Sequence, residues 1–234
     1  MNFIYCLLIL LGIYIAVLLS MKHMKNTKLT NLLFVACIFI PHLVRAAIMY
    51  LDVGFADWNF QNTLPTANVS PFMFTLAPII LILPAKIKTH LYRLTALLSL
   101  GMFFATVLGC ISQALIHYRF SIGFALDYIS HFALSLWGIY LVKSRQTTLA
   151  WKACLRSGSI LLCVAISMLI LNLIFDTAFF GLSLNGKHSI YNTVLVSSSY
   201  LSALLYFLGL SFVLLMGFVF QKRMHRKYSA PIDL

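Results

Sequence analysis

The chain has 234 residues, of which 62% are hydrophobic and only 9% charged, and its mean hydropathy is +0.95. A water-soluble domain carries about a quarter of its residues as charges, so a soluble globular fold is excluded. The apolar residues come in long runs without one-sided stripes, as in helices that face lipid all round. Seventeen Lys and Arg stand against five Asp and no Glu. They sit almost entirely in short connections, which points to membrane topology and attraction to anionic headgroups, with no nucleic acid as partner. The five cysteines (Cys6, Cys37, Cys110, Cys154, Cys163) form no CxxC pair, so neither a disulfide framework nor a metal site is indicated.

Seven spans are read, at about 3–21, 29–50, 68–85, 94–116, 124–142, 157–180 and 198–220, forming an all-α membrane bundle that occupies residues 1–234 as one polytopic domain. The first run, from Phe3 to Ser20, lacks a basic leader and a cleavage site and is read as a retained helix. The third is short: Pro71 to Ala85 gives roughly 22 Å of helix against a hydrocarbon core of ~30 Å. Counting back from Pro84 places Thr66, Asn68 and Ser70 at or just below an interface, with Pro71 in a first turn and Pro78 bending the helix. In the fourth span, Gly101, Ala105 and Gly109 form a small-residue stripe suited to close helix packing. Trp58, Trp137 and Trp151 read as interface anchors, and Ser197, Ser198 and Ser199 as caps for the last helix.

Alternate connections differ sharply in charge. Segments 22–28, 86–93, 143–156 and 222–228 hold three, three, four and four Lys or Arg, whereas the opposite connections hold only Arg119 and Lys187. The positive-inside rule then puts the N-terminus outside and the C-terminus in the cytoplasm. A bacterial cell membrane is the favoured location.

Ionisable residues inside spans are costly and usually face the bundle interior. His42 and Arg45 share one face of the second helix at i, i+3. Asp127 and His131 lie at i, i+4 on the fifth, and Asn172 and Asp176 repeat that spacing on the sixth. By the orientation above, all six lie toward the outer leaflet, as do Thr66, Asn68 and Ser70. An outward-facing polar pocket is inferred, because irregular backbone at membrane depth is tolerated only inside protein or beside a wet cavity. The structural alternative is that each residue snorkels to the interface, and that Arg45 merely neutralises Asp127 or Asp176.

Three segments carry a family resemblance: LPTANVSPF at 64–72, YISHFALSLWGIYLV at 128–142 and LNLIFDTAFF at 171–180. They resemble the LPLHLC-type segment, the Ser-His helix and the L-N-Y-L-x-G-T-N-Y segment of the YwaF-like integral membrane proteins, over residues 60–220. That family is related to transmembrane protein 164, an acyltransferase of phospholipid remodelling with a proposed Cys–His catalytic pair. The resemblance implies that His131 matches the family histidine. Ala67 stands where the cysteine is expected, and Ala178 and Phe179 replace the Asn-Tyr pair.

Acyl transfer through a covalent intermediate needs a nucleophile beside its base. Without the family cysteine, the candidate catalytic set is Thr66 or Ser70 as nucleophile, His131 as base and Asp127 as its orienting carboxylate. Cys110 and Cys6 are substitutes. His42, Arg45, Asn68, Asn172 and Asp176 are the candidate binding residues, and no cofactor or metal is expected. Three readings compete: an enzyme that transfers or hydrolyses a phospholipid acyl chain, a binding or transport protein that holds a small anionic ligand or lipid headgroup in the same pocket, and a degenerate family member with a structural or accessory role. Membrane lipids are the expected partners.

Overall fold

A computed structural model of the chain describes residues 3–54, 63–65, 68–115, 121–175 and 199–229, with side-chain detail in the last helix from 204 to 223. Among the described residues there are seven α-helices and no strand: α1 (Phe3–Ser20, continued by a 3-10 turn at Met21–His23), α2 (Thr27–Val53), α3 (Val69–Ile82), α4 (Ala85–Leu115), α5 (Ile122–Lys143), α6 (Trp151–Phe175) and α7 (Ser199–Ser229). Six are long and apolar enough to cross a membrane. The exception is α3, whose 14 residues make about 21 Å of helix, short of a ~30 Å core. The third of the expected spans is therefore a short helix of about two-thirds the spanning length, one of seven but not one of the six long ones.

The boundaries explain themselves locally. Asn26 caps α2 by accepting from the Leu29 backbone N–H at 3.1 Å, and Asn68 caps α3 the same way through Ser70 N–H at 3.4 Å. Pro84 forces Leu83 into an extended conformation and so separates α3 from α4. The Lys88 ammonium reaches back to the open Leu81 carbonyl at 2.7 Å. Helix α4 starts nine residues earlier, and α6 six residues earlier, than the apolar runs suggested. Hydropathy marks where charges begin, whereas the hydrogen-bond ladder continues past that point wherever water can solvate the charged side chains.

The centre of the bundle is the α4–α5 pair. Helix α2 packs mainly on α5, and α3 packs on α2 and α4. Helices α6 and α7 lie against α4, and α1 leans on both central helices. Every residue of α5 from Ser130 to Val142 is buried. This position accounts for α5 being the least apolar of the six long helices: from Ser130 onward it is surrounded by protein and needs no lipid-compatible surface. By contrast α1 and α7 turn Ile4, Leu8, Ile9, Leu208 and Phe212 outward, an apolar surface suited to lipid and not to water. The chain is thus built to be embedded in a membrane.

Close approach needs glycine in two places. A Cβ on Gly138 of α5 would stand 2.6 Å from the Thr95 carbonyl of α4, and one on Gly217 of α7 would collide with the Leu97 carbonyl. The close α4–α7 approach lets Gln221 of α7 donate to Ser99 at 2.7 Å and to the Ala96 carbonyl at 3.2 Å, and a further polar bond, Tyr14 to Ser135 at 2.9 Å, joins α1 to α5.

Candidate functional site

Helices α2, α3 and α5 meet where α2 ends and α5 begins, and there the structure assembles an ionic and aromatic cluster. Pro41 interrupts the α2 hydrogen-bond ladder one residue before His42. One turn earlier, the Ile38 carbonyl accepts from Ser130 Oγ at 2.9 Å, which pins α2 to α5. Arg45 Nη1 donates to Asp127 Oδ1 at 2.8 Å, with both side chains less than one-fifth exposed. His131 Nδ1 bonds the backbone oxygen of Asp127 at 2.9 Å and stands 3.8 Å from its Oδ2. The Phe74 ring of α3, fully buried, meets His131 edge-on at 4.9 Å and His42 at 5.3 Å. His42 is itself buried, and its Nδ1 has no hydrogen-bond partner among the described residues.

A second feature opens at the first turn of α3, one turn before Phe74. A cleft of about 350 Å³ runs between α4 and α7, with Asn68 and Ser70 at its polar end and Gly101, Ala105 and Gly209 along its walls. The Ser70 hydroxyl reaches Met102 Sδ at 3.5 Å, a weak acceptor. The small-residue stripe of α4 therefore serves two purposes. Gly101 closes against Val213, Gly109 lies under Tyr128, and the exposed Ala105 between them leaves the cleft open.

The candidate residues thus separate. His42, Arg45, Asp127 and His131 come together, whereas Asn68 and Ser70 belong to the cleft. Asn172 is buried on α6, which packs chiefly against α4 and α7 among the described residues. Thr66 and Asp176 lie outside the described residues. Among the described residues no hydrogen bond joins Asn68 or Ser70 to the His42–Arg45–Asp127–His131 group.

This arrangement limits the chemistry. Among the described residues no hydroxyl or thiol is hydrogen-bonded to His131, whose ring bonds back to its own helix. Ser70 bonds Met102 instead. Cys6 and Cys110 are buried free thiols, and Cys110 lies beside the Tyr128 hydroxyl. No group of three metal-ligating side chains occurs among the described residues, and Asp127 already has a cationic partner in Arg45.

At the opposite end, the structure buries polar residues that the sequence reading passed over. Asn31 of α2 accepts from Trp137 Nε1 at 3.0 Å and donates to Gln146 at 2.6 Å and Tyr92 at 3.5 Å. The buried Arg93 donates to the Thr148 carbonyl at 2.8 Å, to Ser157 at 3.2 Å and to the Thr148 hydroxyl at 3.3 Å, fastening the α5–α6 connection to α4. Trp137 is wholly buried, so it is a packing residue and not an interface anchor; Trp151, half exposed, suits the anchor role. The signal was available: Trp137 stands two turns before the first charge that follows it, Lys143.

Compared with known proteins, the chain matches no family, no characterised protein and no solved structure. The class defined by fold and site is accordingly a helical membrane protein with a buried ion-pair cluster and a separate lateral cleft.

Proposed function

We propose that the chain is a multi-pass membrane protein, N-terminus outside and C-terminus in the cytoplasm, that binds a phospholipid of the outer leaflet in the α4–α7 cleft. The observation that carries this reading is the make-up of the cleft. Its polar side chains are Asn68, Ser70 and Tyr206, while glycine, alanine, valine, leucine and Met102 line the remainder. A phospholipid has the same division, a polar ester region on apolar chains. Asn68 and Ser70 address the ester or headgroup, and Ala105 and Gly209 leave room for the chain. The positive bias of alternate connections supports the orientation, and the YwaF-like resemblance of residues 60–220 supports a lipid ligand. The Arg45–Asp127 pair and His131 hold α2 and α5 in register beside the cleft.

Binding is favoured over acyl transfer because His131 bonds the Asp127 carbonyl and Ser70 bonds Met102, which leaves no nucleophile–base pair among the described residues. Acyl transfer is the second reading. It rests on the Ser70 hydroxyl, which lies at the cleft wall with only a thioether as acceptor.

A phosphatidylcholine bearing a diazirine on one acyl chain tests the proposal. Irradiated with the purified chain, it labels α4 and α7 around Gly101–Ala105 and Gly209, and Gly209→Phe removes that label. Labelling of equal strength in the variant, or spread evenly over lipid-facing surfaces, refutes the site. Lipidomics of cells expressing the wild type or His131→Ala separates the two readings. Matching acyl-chain profiles accompany binding, and a difference between them installs the enzyme.

A further inference from the structure

The bundle has another groove, at its basic end and between different helices. It lies between the first half of α6 and the middle of α7, has a volume of about 200 Å³, and is lined by Trp151, Leu155, Leu162, Leu215 and Phe218, with Ser159 and Ser211 as its polar residues. Helices α6 and α7 touch sparsely, so the groove is a real gap in the wall and not a shallow seam. From Trp151 to Leu162 it runs about 16 Å at 1.5 Å per residue. That is roughly half of a ~30 Å hydrocarbon core, the depth of one leaflet.

Its basic end is chemically distinct. On α7 the groove-facing row Ser211, Leu215, Phe218 continues at the next helical step to Lys222, whose ammonium lies 5.6 Å over the Phe218 ring. On α6 the groove begins at the half-exposed Trp151, packed edge-on against Phe218 at 5.0 Å, and the next residue is the exposed Lys152. Arg156 and Arg223 are exposed close by on the same two helices. No Asp or Glu occurs in 143–156 or 221–229 to neutralise them. An apolar slot one leaflet deep, with an interfacial tryptophan and ammonium groups that no carboxylate opposes among the described residues, matches one ligand class.

We infer that the α6–α7 groove is a binding site for an anionic phospholipid of the basic leaflet, with an acyl chain lying along Trp151–Leu162 and the phosphate held by Lys152 and Lys222. The site is independent of the α4–α7 cleft: it shares none of that cleft's lining residues and stands whether or not that cleft binds lipid. Lysines at a membrane surface attract anionic headgroups by about 1 kcal/mol each, roughly a fivefold preference per lysine. The aromatic at the mouth fixes the depth of the chain.

Trp151 serves as the reporter. The full chain is reconstituted into vesicles containing dibrominated phosphatidylglycerol or dibrominated phosphatidylcholine, whose bromines quench indole emission at short range. The Trp151 contribution is the difference from Trp151→Phe. The expected result is a relative binding constant roughly fivefold or more in favour of phosphatidylglycerol, reduced by high salt and lost in Lys152→Gln/Lys222→Gln. Ser211→Phe, which fills the groove, lowers quenching by both lipids. Equal constants for the two lipids in the wild type, or a preference unchanged in the double variant, overturn the assignment.

Discussion

Arg45 of α2 holds the carboxylate of Asp127 of α5 across 2.8 Å, and the same aspartate offers its backbone oxygen to His131 one turn later. One acidic residue thus ties together two helices and an imidazole in a region where water is scarce. The pair is tolerated because both side chains are less than one-fifth exposed and each charge meets its opposite.

Breaking the pair on one side is expected to be worse than removing it. Asp127→Asn leaves Arg45 as an uncompensated, mostly buried cation, a loss of about 3 kcal/mol. Arg45→Leu/Asp127→Leu removes both charges and recovers most of the stability. Thermal unfolding in detergent, read as a double-mutant cycle, checks this. A double variant as unstable as the sum of the singles contradicts it.

The glycines of the bundle are not equivalent. Gly138→Ala drives a methyl into the Thr95 carbonyl at 2.6 Å, an overpacking loss of about 1–3 kcal/mol. Gly12→Ala meets nothing within 4 Å and gains up to about 1 kcal/mol from helix propensity. Melting temperatures of the two variants should move in opposite directions.

Asn31 is expected to control the α5–α6 connection. Asn31→Ala strands the indole N–H of Trp137 and releases Gln146, at about 1–3 kcal/mol for the buried unsatisfied donor. Limited trypsin treatment should cut faster at Arg145 in the variant than in the wild type. An unchanged cleavage rate would show that Arg93 alone holds the connection.

Topology has its own test. A green fluorescent protein fused after Leu234 should fluoresce in a bacterial host, because it folds in the cytoplasm. A secreted-phosphatase fusion at the same point should be inactive. The reverse pattern would invert the assignment of both leaflets.

Much of this protein was legible one residue at a time. Composition alone required lipid as the surrounding solvent, because so few charges cannot clothe a water-exposed surface. The helix period put His42 beside Arg45 and Asp127 beside His131, since i, i+3 and i, i+4 neighbours share a face whatever the fold. A carboxylate partner for Arg45 was also foreseeable, with Asp127 and Asp176 as the choices.

Which helices face each other was decided only in three dimensions. Apolar spans carry almost no information about their neighbours, because leucine packs on leucine as readily as on lipid. The tertiary structure chose Asp127 for Arg45, set Phe74 between the two histidines, turned Ser70 toward Met102 and so divided one expected pocket into a cluster and a cleft. It also collected Asn31, Tyr92, Trp137 and Gln146 from three helices and a connection. Contacts of that kind depend on close approach at positions such as Gly138 and Gly217, where the space left by a missing side chain, and not any local pattern, sets what can meet.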